Sequence, residues 1–259
     1  MTKLMSKTLA AAALAASLGF ASTQASAAFL DFTVDEGSVP GAGANMFTAD
    51  KLNGAYAEKI TFDGLGGFST TAYATMGQVL SNDGTTDISA TTQLGTGVYK
   101  MYAIFSSSGN VAPSGPGFAF TGASGSFSLY IDPSNDTTFT LGADGTVLPT
   151  VTDAAADDYL IASTATLTSA NGFLLTGVGG FFDLVFDDFL LTAAGSAYFV
   201  DPNPFHMRTN VDGDFDNFAV SGTQTVTGDV SAVFIPEPGS LALLGVAMAG
   251  LGASLRRRK

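Results

Sequence analysis

Apolar and polar residues alternate at period two in eight separate runs of this chain, and that alternation restricts the fold more than any other feature. It runs through Glu58 to Phe62, Val98 to Phe105, Gly125 to Asp132, Thr138 to Leu141, Tyr159 to Leu167, Phe181 to Phe186, Ala197 to Val200 and Phe218 to Phe234. Successive side chains of an extended strand point to opposite faces, so Phe127, Leu129 and Ile131 share one face and Ser126, Ser128 and Tyr130 the other. Asn82-Asp83-Gly84, Ala143-Asp144-Gly145 and Asn171-Gly172 separate the runs. Asn-Gly and Asp-Gly tolerate the positive φ of tight hairpins. Only Ala154 to Leu160 suggests a short helical turn. Many short strands, no repeat of fixed period and 21 phenylalanines with no tryptophan predict an all-β fold. The expected architecture is a single β-sandwich or jelly-roll domain with an aromatic core.

Both ends depart from this pattern. Lys3 and Lys7, the apolar stretch Leu9 to Phe20 and the A-x-A site Ala25-Ser26-Ala27 read as a signal peptide over 1–27, with Ala25 and Ala27 at the cleavage site. At the other end Pro236-Glu237-Pro238 precedes an uncharged apolar run from Gly239 to Leu255, then Arg256, Arg257, Arg258 and Lys259. That run, as a helix, spans roughly 25 Å, enough for a thin bilayer, and the cations beyond it hold its end in the cytoplasm. The expected layout is a signal peptide (1–27), an acidic exported domain (28–235) and a sorting tail (236–259) with a transmembrane helix over 239–255.

Triplet, apolar run and basic end in this order resemble the PEP-CTERM sorting signal of Gram-negative bacteria. The resemblance covers about 24 residues. It implies recognition and processing by the membrane protease exosortase, with Pro236, Glu237, Pro238, Arg256, Arg257 and Arg258 as the sorting residues and the inner membrane as a transient anchor. The alternative is an ordinary C-terminal membrane anchor. The run Phe181 to Phe218 and the opening Phe29-Leu30-Asp31-Phe32-Thr33-Val34-Asp35-Glu36 are similar to flocculation-associated PEP-CTERM proteins. That similarity implies a role in floc or biofilm formation with exopolysaccharide, and brings no catalytic residues.

Charge narrows the partners. Once the tail and signal peptide are set aside, the basic residues are Lys51, Lys59, Lys100 and Arg208, against 22 of the 23 acids, a formal charge near −18. Such a field repels nucleic acid and attracts divalent cations. The chain has no cysteine, which excludes thiol catalysis and disulfides, and one histidine, His206, which excludes a two-histidine metal motif.

Asp212-Gly213-Asp214-Phe215-Asp216-Asn217 resembles the first half of an EF-hand loop, but glycine is missing at position six and glutamate at twelve. A calcium loop between strands, with ligands from Asp212, Asp214, Asp216 and Asn217, stands beside a plain polar hairpin. A second acidic group, Asp183, Asp187 and Asp188, calls for an exposed or metal-neutralised face, since Asp183 falls opposite Phe182, Leu184 and Phe186. Nothing places two carboxylates at glycosidase spacing. His206 lies in a proline-rich connection and no G-x-S-x-G elbow occurs, so a hydrolase triad has no support. The glycines at 64–67 and 177–180 read as turns. The functional expectation is a non-enzymatic exported matrix or surface protein that needs no cofactor beyond a possible calcium ion. The alternative is a carbohydrate-binding module that stacks sugars on exposed Tyr102, Tyr130 or Tyr198. An extracellular hydrolase is the third reading.

Overall fold

The computed structural model describes residues 29–202 and 208–235, of which the strands are β1 (Phe32–Asp35), β2 (Met46–Ala49), β3 (Lys51–Phe62), β4 (Gly67–Ser81) and β5 (Thr86–Asp87). Then follow β6 (Lys100–Ser114), β7 (Gly117–Asp132), β8 (Thr138–Thr140), β9 (Thr150–Thr152), β10 (Tyr159–Thr164) and β11 (Thr166–Leu175). The chain continues through β12 (Gly179–Asp187), β13 (Leu190–Leu191), the helix α1 (Ala193–Tyr198), β14 (Phe199–Asp201), β15 (Arg208–Asp216) and β16 (Thr223–Ile235). The described residues are all-β, 62% strand and 6% helix. The expected signal peptide and sorting tail lie outside the described residues. Among the described residues no helix is long and apolar enough to cross a membrane.

Eight strands close into a barrel. Hairpins β3–β4, β6–β7, β11–β12 and β15–β16 stand side by side through the pairings β4–β6, β7–β11 and β12–β15, and β16 closes the ring on β3. Every pairing is antiparallel and the strands follow chain order, which makes this an up-and-down barrel. The expected sandwich is not what forms. A sandwich needs strands that switch sheets through long connections, whereas here each long strand pairs with its sequence neighbour. The pairing of Asn171 to Leu175 with Gly117 to Thr121 joins β7 to β11 and completes the ring. β7 also bends: its second half, Phe127 to Ile131, leaves β11 and pairs with β10.

The turn chemistry is mostly as expected. Asn82, Asp83 and Gly84 all take positive φ. Asn171-Gly172 is not a turn; it sits mid-strand in β11, paired on both sides. Glycine eases a close approach there, since a Cβ at Gly172 would lie 3.1 Å from the Phe181 carbonyl oxygen. Ala154 to Asp158 form bends and no helix; the helix is α1, capped by Thr192, whose hydroxyl accepts from Gly195 N at 3.1 Å.

Inward residues form two hydrophobic layers. The larger holds Tyr56, Phe105, Phe127, Phe186 and Ile131, packed over the buried alanines Ala72, Ala74 and Ala103 that make room for the rings. Phe127 meets Phe105 at 6.3 Å and Phe186 at 5.9 Å, and each such buried ring contributes about 2 to 3 kcal/mol. The smaller layer gathers Ile60, Phe62, Phe68, Phe120, Leu174 and Val226 near the β15–β16 turn, with Phe218 stacked on Phe62. The sheet β14-β1-β2 and α1 extend the larger core through Phe32, Val34, Phe199 and Tyr198.

The outer face is polar. Lys59 and Thr61 of β3 meet Thr225 and Thr223 of β16 at 2.7 and 2.8 Å, and Ser106 and Ser108 of β6 meet Ser126 and Ser124 of β7 at 2.8 Å.

Candidate functional site

Between the two layers the barrel encloses a cavity of about 60 Å³. Its polar lining is Glu58 from β3, Thr70 from β4, Ser107 from β6 and Asn171 from β11, set among Phe105, Phe120 and Phe182. The Thr70 and Ser107 hydroxyls are 3.0 Å apart. Glu58 retains some accessible surface, yet that surface faces the cavity, so burial pushes its carboxyl up to about 7 against the opposing hydrogen bond with Thr70. Among the described residues Glu58 is the one acid on this wall, which therefore sets no second carboxylate beside it. The cavity is also far below the ~300 Å³ of ordinary ligand pockets.

Asp212, Asp214 and Asp216 lie on strand β15, not in a loop, and all three are exposed on the outer face. Alternate residues of one strand stand roughly 7 Å apart, which does not gather three carboxylates on one ion. Asp214 Oδ1 accepts from Asp229 N at 3.1 Å, and Asn217 Oδ1 accepts from Gly177 N at 2.8 Å. Asp183 faces outward as its period predicts and stands opposite Asp212. Although Asp212 is exposed, partial desolvation beside its neighbouring strands raises its carboxyl, Lys51 counters this, and the Asp183 charge adds to it.

Other carboxylates do converge. Oxygens of Asp132, Asp157 and Asp158 lie within 4.8 Å of one another, and so do those of Asp136, Asp153 and Asp157. The antiparallel match of Tyr159 with Ile131 brings the end of β7 beside the start of β10 and so assembles the group. Sequence reasoning missed it because the residues fall on two connections. The available signal was a pair of Asp-rich segments, each flanking a strand.

The tyrosine expectation is corrected in part. Tyr102 and Tyr198 are buried, 2% and 1% exposed, so neither offers a face to a sugar. Tyr102 is stacked on Tyr130 at 5.0 Å and donates its hydroxyl to Asp158 Oδ2 at 2.8 Å. Tyr198 shares a 2.7 Å hydrogen bond with Tyr99. His206, Ala25, Ala27, Pro236, Glu237, Pro238, Arg256, Arg257 and Arg258 lie outside the described residues.

β16 runs to Ile235, where it still pairs with Arg208, and the Pro-Glu-Pro triplet starts at the next residue. The family model of the PEP-CTERM protein-sorting motif matches residues 234–258. The tail is a PEP-CTERM sorting motif. The PEP-CTERM motif marks an extracellular protein sorted and processed by exosortase after transient anchoring at the membrane. No curated protein and no solved structure matches the chain.

Proposed function

We propose that this PEP-CTERM protein works outside the cell as a non-enzymatic structural component of a biofilm or floc matrix that contains exopolysaccharide. The observation that carries the reading is where the fold ends. All sixteen described strands precede Pro236, so removal of the tail at the triplet costs the barrel none of its strand pairings. The released body keeps a closed barrel, an acidic surface and rows of outward hydroxyls. Hydroxyls on paired strands suit shallow, repeated hydrogen bonding to a hydrated polymer, and the negative field recruits divalent cations that bridge acidic chains.

The test is co-sedimentation of the matrix-released protein with exopolysaccharide from the producing cells, with and without a chelator. Retention that falls with the chelator supports the reading, and absence from the polymer fraction in both conditions overturns it. A selective carbohydrate-binding module is less favoured, because the cavity is small and two of its three candidate stacking tyrosines are buried.

A further inference from the structure

We propose that the cavity inside the barrel binds a small primary alkylammonium ion, with Glu58 as its counter-charge. The position of Glu58 is the anomaly. Tyr56, Glu58, Ile60 and Phe62 alternate along the inner face of β3, so an acid occupies a place that its neighbours give to the core. Its cross-strand neighbours are Ala72 of β4 and Val226 of β16, which carry no charge and no side-chain donor. Lys59 points to the outer face, where it donates to Thr225 Oγ1 at 2.7 Å. Tyr56, the titratable group nearest along the strand, turns its hydroxyl to the Asp214 carbonyl at 3.1 Å. Among the described residues no cation compensates Glu58, and its hydrogen-bond partner is the Thr70 side chain. A carboxyl left in that state holds its proton up to about 7, and a cation in the cavity is the partner that restores its charge.

The rest of the wall matches an alkylammonium ion. Thr70, 5% exposed, and Ser107 place hydroxyl oxygens 3.0 Å apart on the same wall as Glu58. Three oxygen-bearing side chains thus stand against the three N–H donors of a primary ammonium. Phe105, Phe120, Phe182, Phe215 and Phe218 also line the cavity. Aromatic rings pack against an alkyl stem and attract a cation, which a bare sodium ion exploits only in part. The volume of about 60 Å³ is several times the ~10–15 Å³ that one water requires, and admits a ligand of roughly three or four heavy atoms. The negative field of the body concentrates such cations at its surface. The site lies inside the barrel and does not rest on the matrix reading.

The experiment melts the full chain, purified in detergent, with ethylammonium chloride, with sodium chloride at equal ionic strength, and with ethanol as the neutral analogue. Ethylammonium at about 50 mM should raise Tm by roughly 2 to 6 °C over the sodium control at pH 8, and ethanol should not. Ethylammonium stays charged across the range tested, so its binding displaces the Glu58 proton below about pH 7. Its apparent affinity should therefore be about tenfold weaker at pH 6 than at pH 8, an arm that needs no variant. Glu58→Gln should lose the ethylammonium shift, while Asp214→Asn on the outer face should keep it. The proposal is overturned if ethylammonium does no more than sodium, or if Glu58→Gln responds as fully as the parent. An equal response to ethanol overturns it too, and makes the cavity a merely apolar pocket. So does an equal response to tetramethylammonium, which has no N–H for the three oxygens.

Discussion

Glu36 and Asp158 are both acids set into the protein body, and they end in opposite states. Glu36 is 0% exposed, and each of its oxygens has two donors: Asn45 Nδ2 and Gln93 N on one, Leu94 N and the Tyr99 hydroxyl on the other, all at 2.6 to 2.9 Å. Asp158 has two donors on Oδ2 and none on its shielded Oδ1, with carboxylate oxygens of Asp132 and Asp157 within 4.8 Å. A carboxylate closed on all sides by protein donors is a structural tie, here fastening the β1–β2 connection to the segment before β6. Asp158 instead keeps one oxygen without a donor beside two other carboxylates. Local acidity does not separate the two; the count of donors does.

The largest break in that comparison is Glu36→Ala. Four donors lose their acceptor in a dry site, so unfolding in urea should show a loss of about 3 to 5 kcal/mol. Glu58 is the intermediate case, buried with a hydroxyl partner but no charged one. Its folded pKa is raised, so the folded state holds a proton that the unfolded state releases above about 4.5. Stability should therefore fall as pH rises from about 4.5 to about 7 and level off beyond, by on the order of 3 kcal/mol. Glu58→Gln should remove that slope; urea midpoints at pH 5 and pH 8 for both chains check it. The smallest effect is Asp158→Asn. The amide oxygen still accepts from Tyr102 and Thr137, and one repelling charge is gone, so stability should stay within about 1 kcal/mol of the parent. A large loss would make Asp158 a tie like Glu36.

Much of the fold was legible in the sequence, for reasons that particular strands illustrate. Phe127, Leu129 and Ile131 declared the inner face of β7, and the segment Phe181 to Phe186 declared β12 with Asp183 pointing outward. β4 was not read, because its inner face relies on Ala72 and Ala74, whose small side chains give a weak alternation signal. The sequence of β15 suggests a loop, because Asp-Gly-Asp-Phe-Asp has turn composition, while cross-strand pairing to β12 and β16 holds it extended. Closure into a barrel was not legible. It rests on β7 changing partners partway along and on β16 meeting β3 across nearly the whole sequence, and both are non-local. The sorting tail was readable because its three features are contiguous, whereas the aspartate group required two connections to be brought together in space.

The central claim is that an exported, folded barrel is separated from its tail near the triplet. Intact mass of the protein from the membrane and matrix fractions of producing cells tests it most directly. The expected matrix species lacks everything after about Pro238 and retains the barrel strands through Ile235. A full-length species confined to the membrane would contradict it, making the tail a permanent anchor and removing the matrix role.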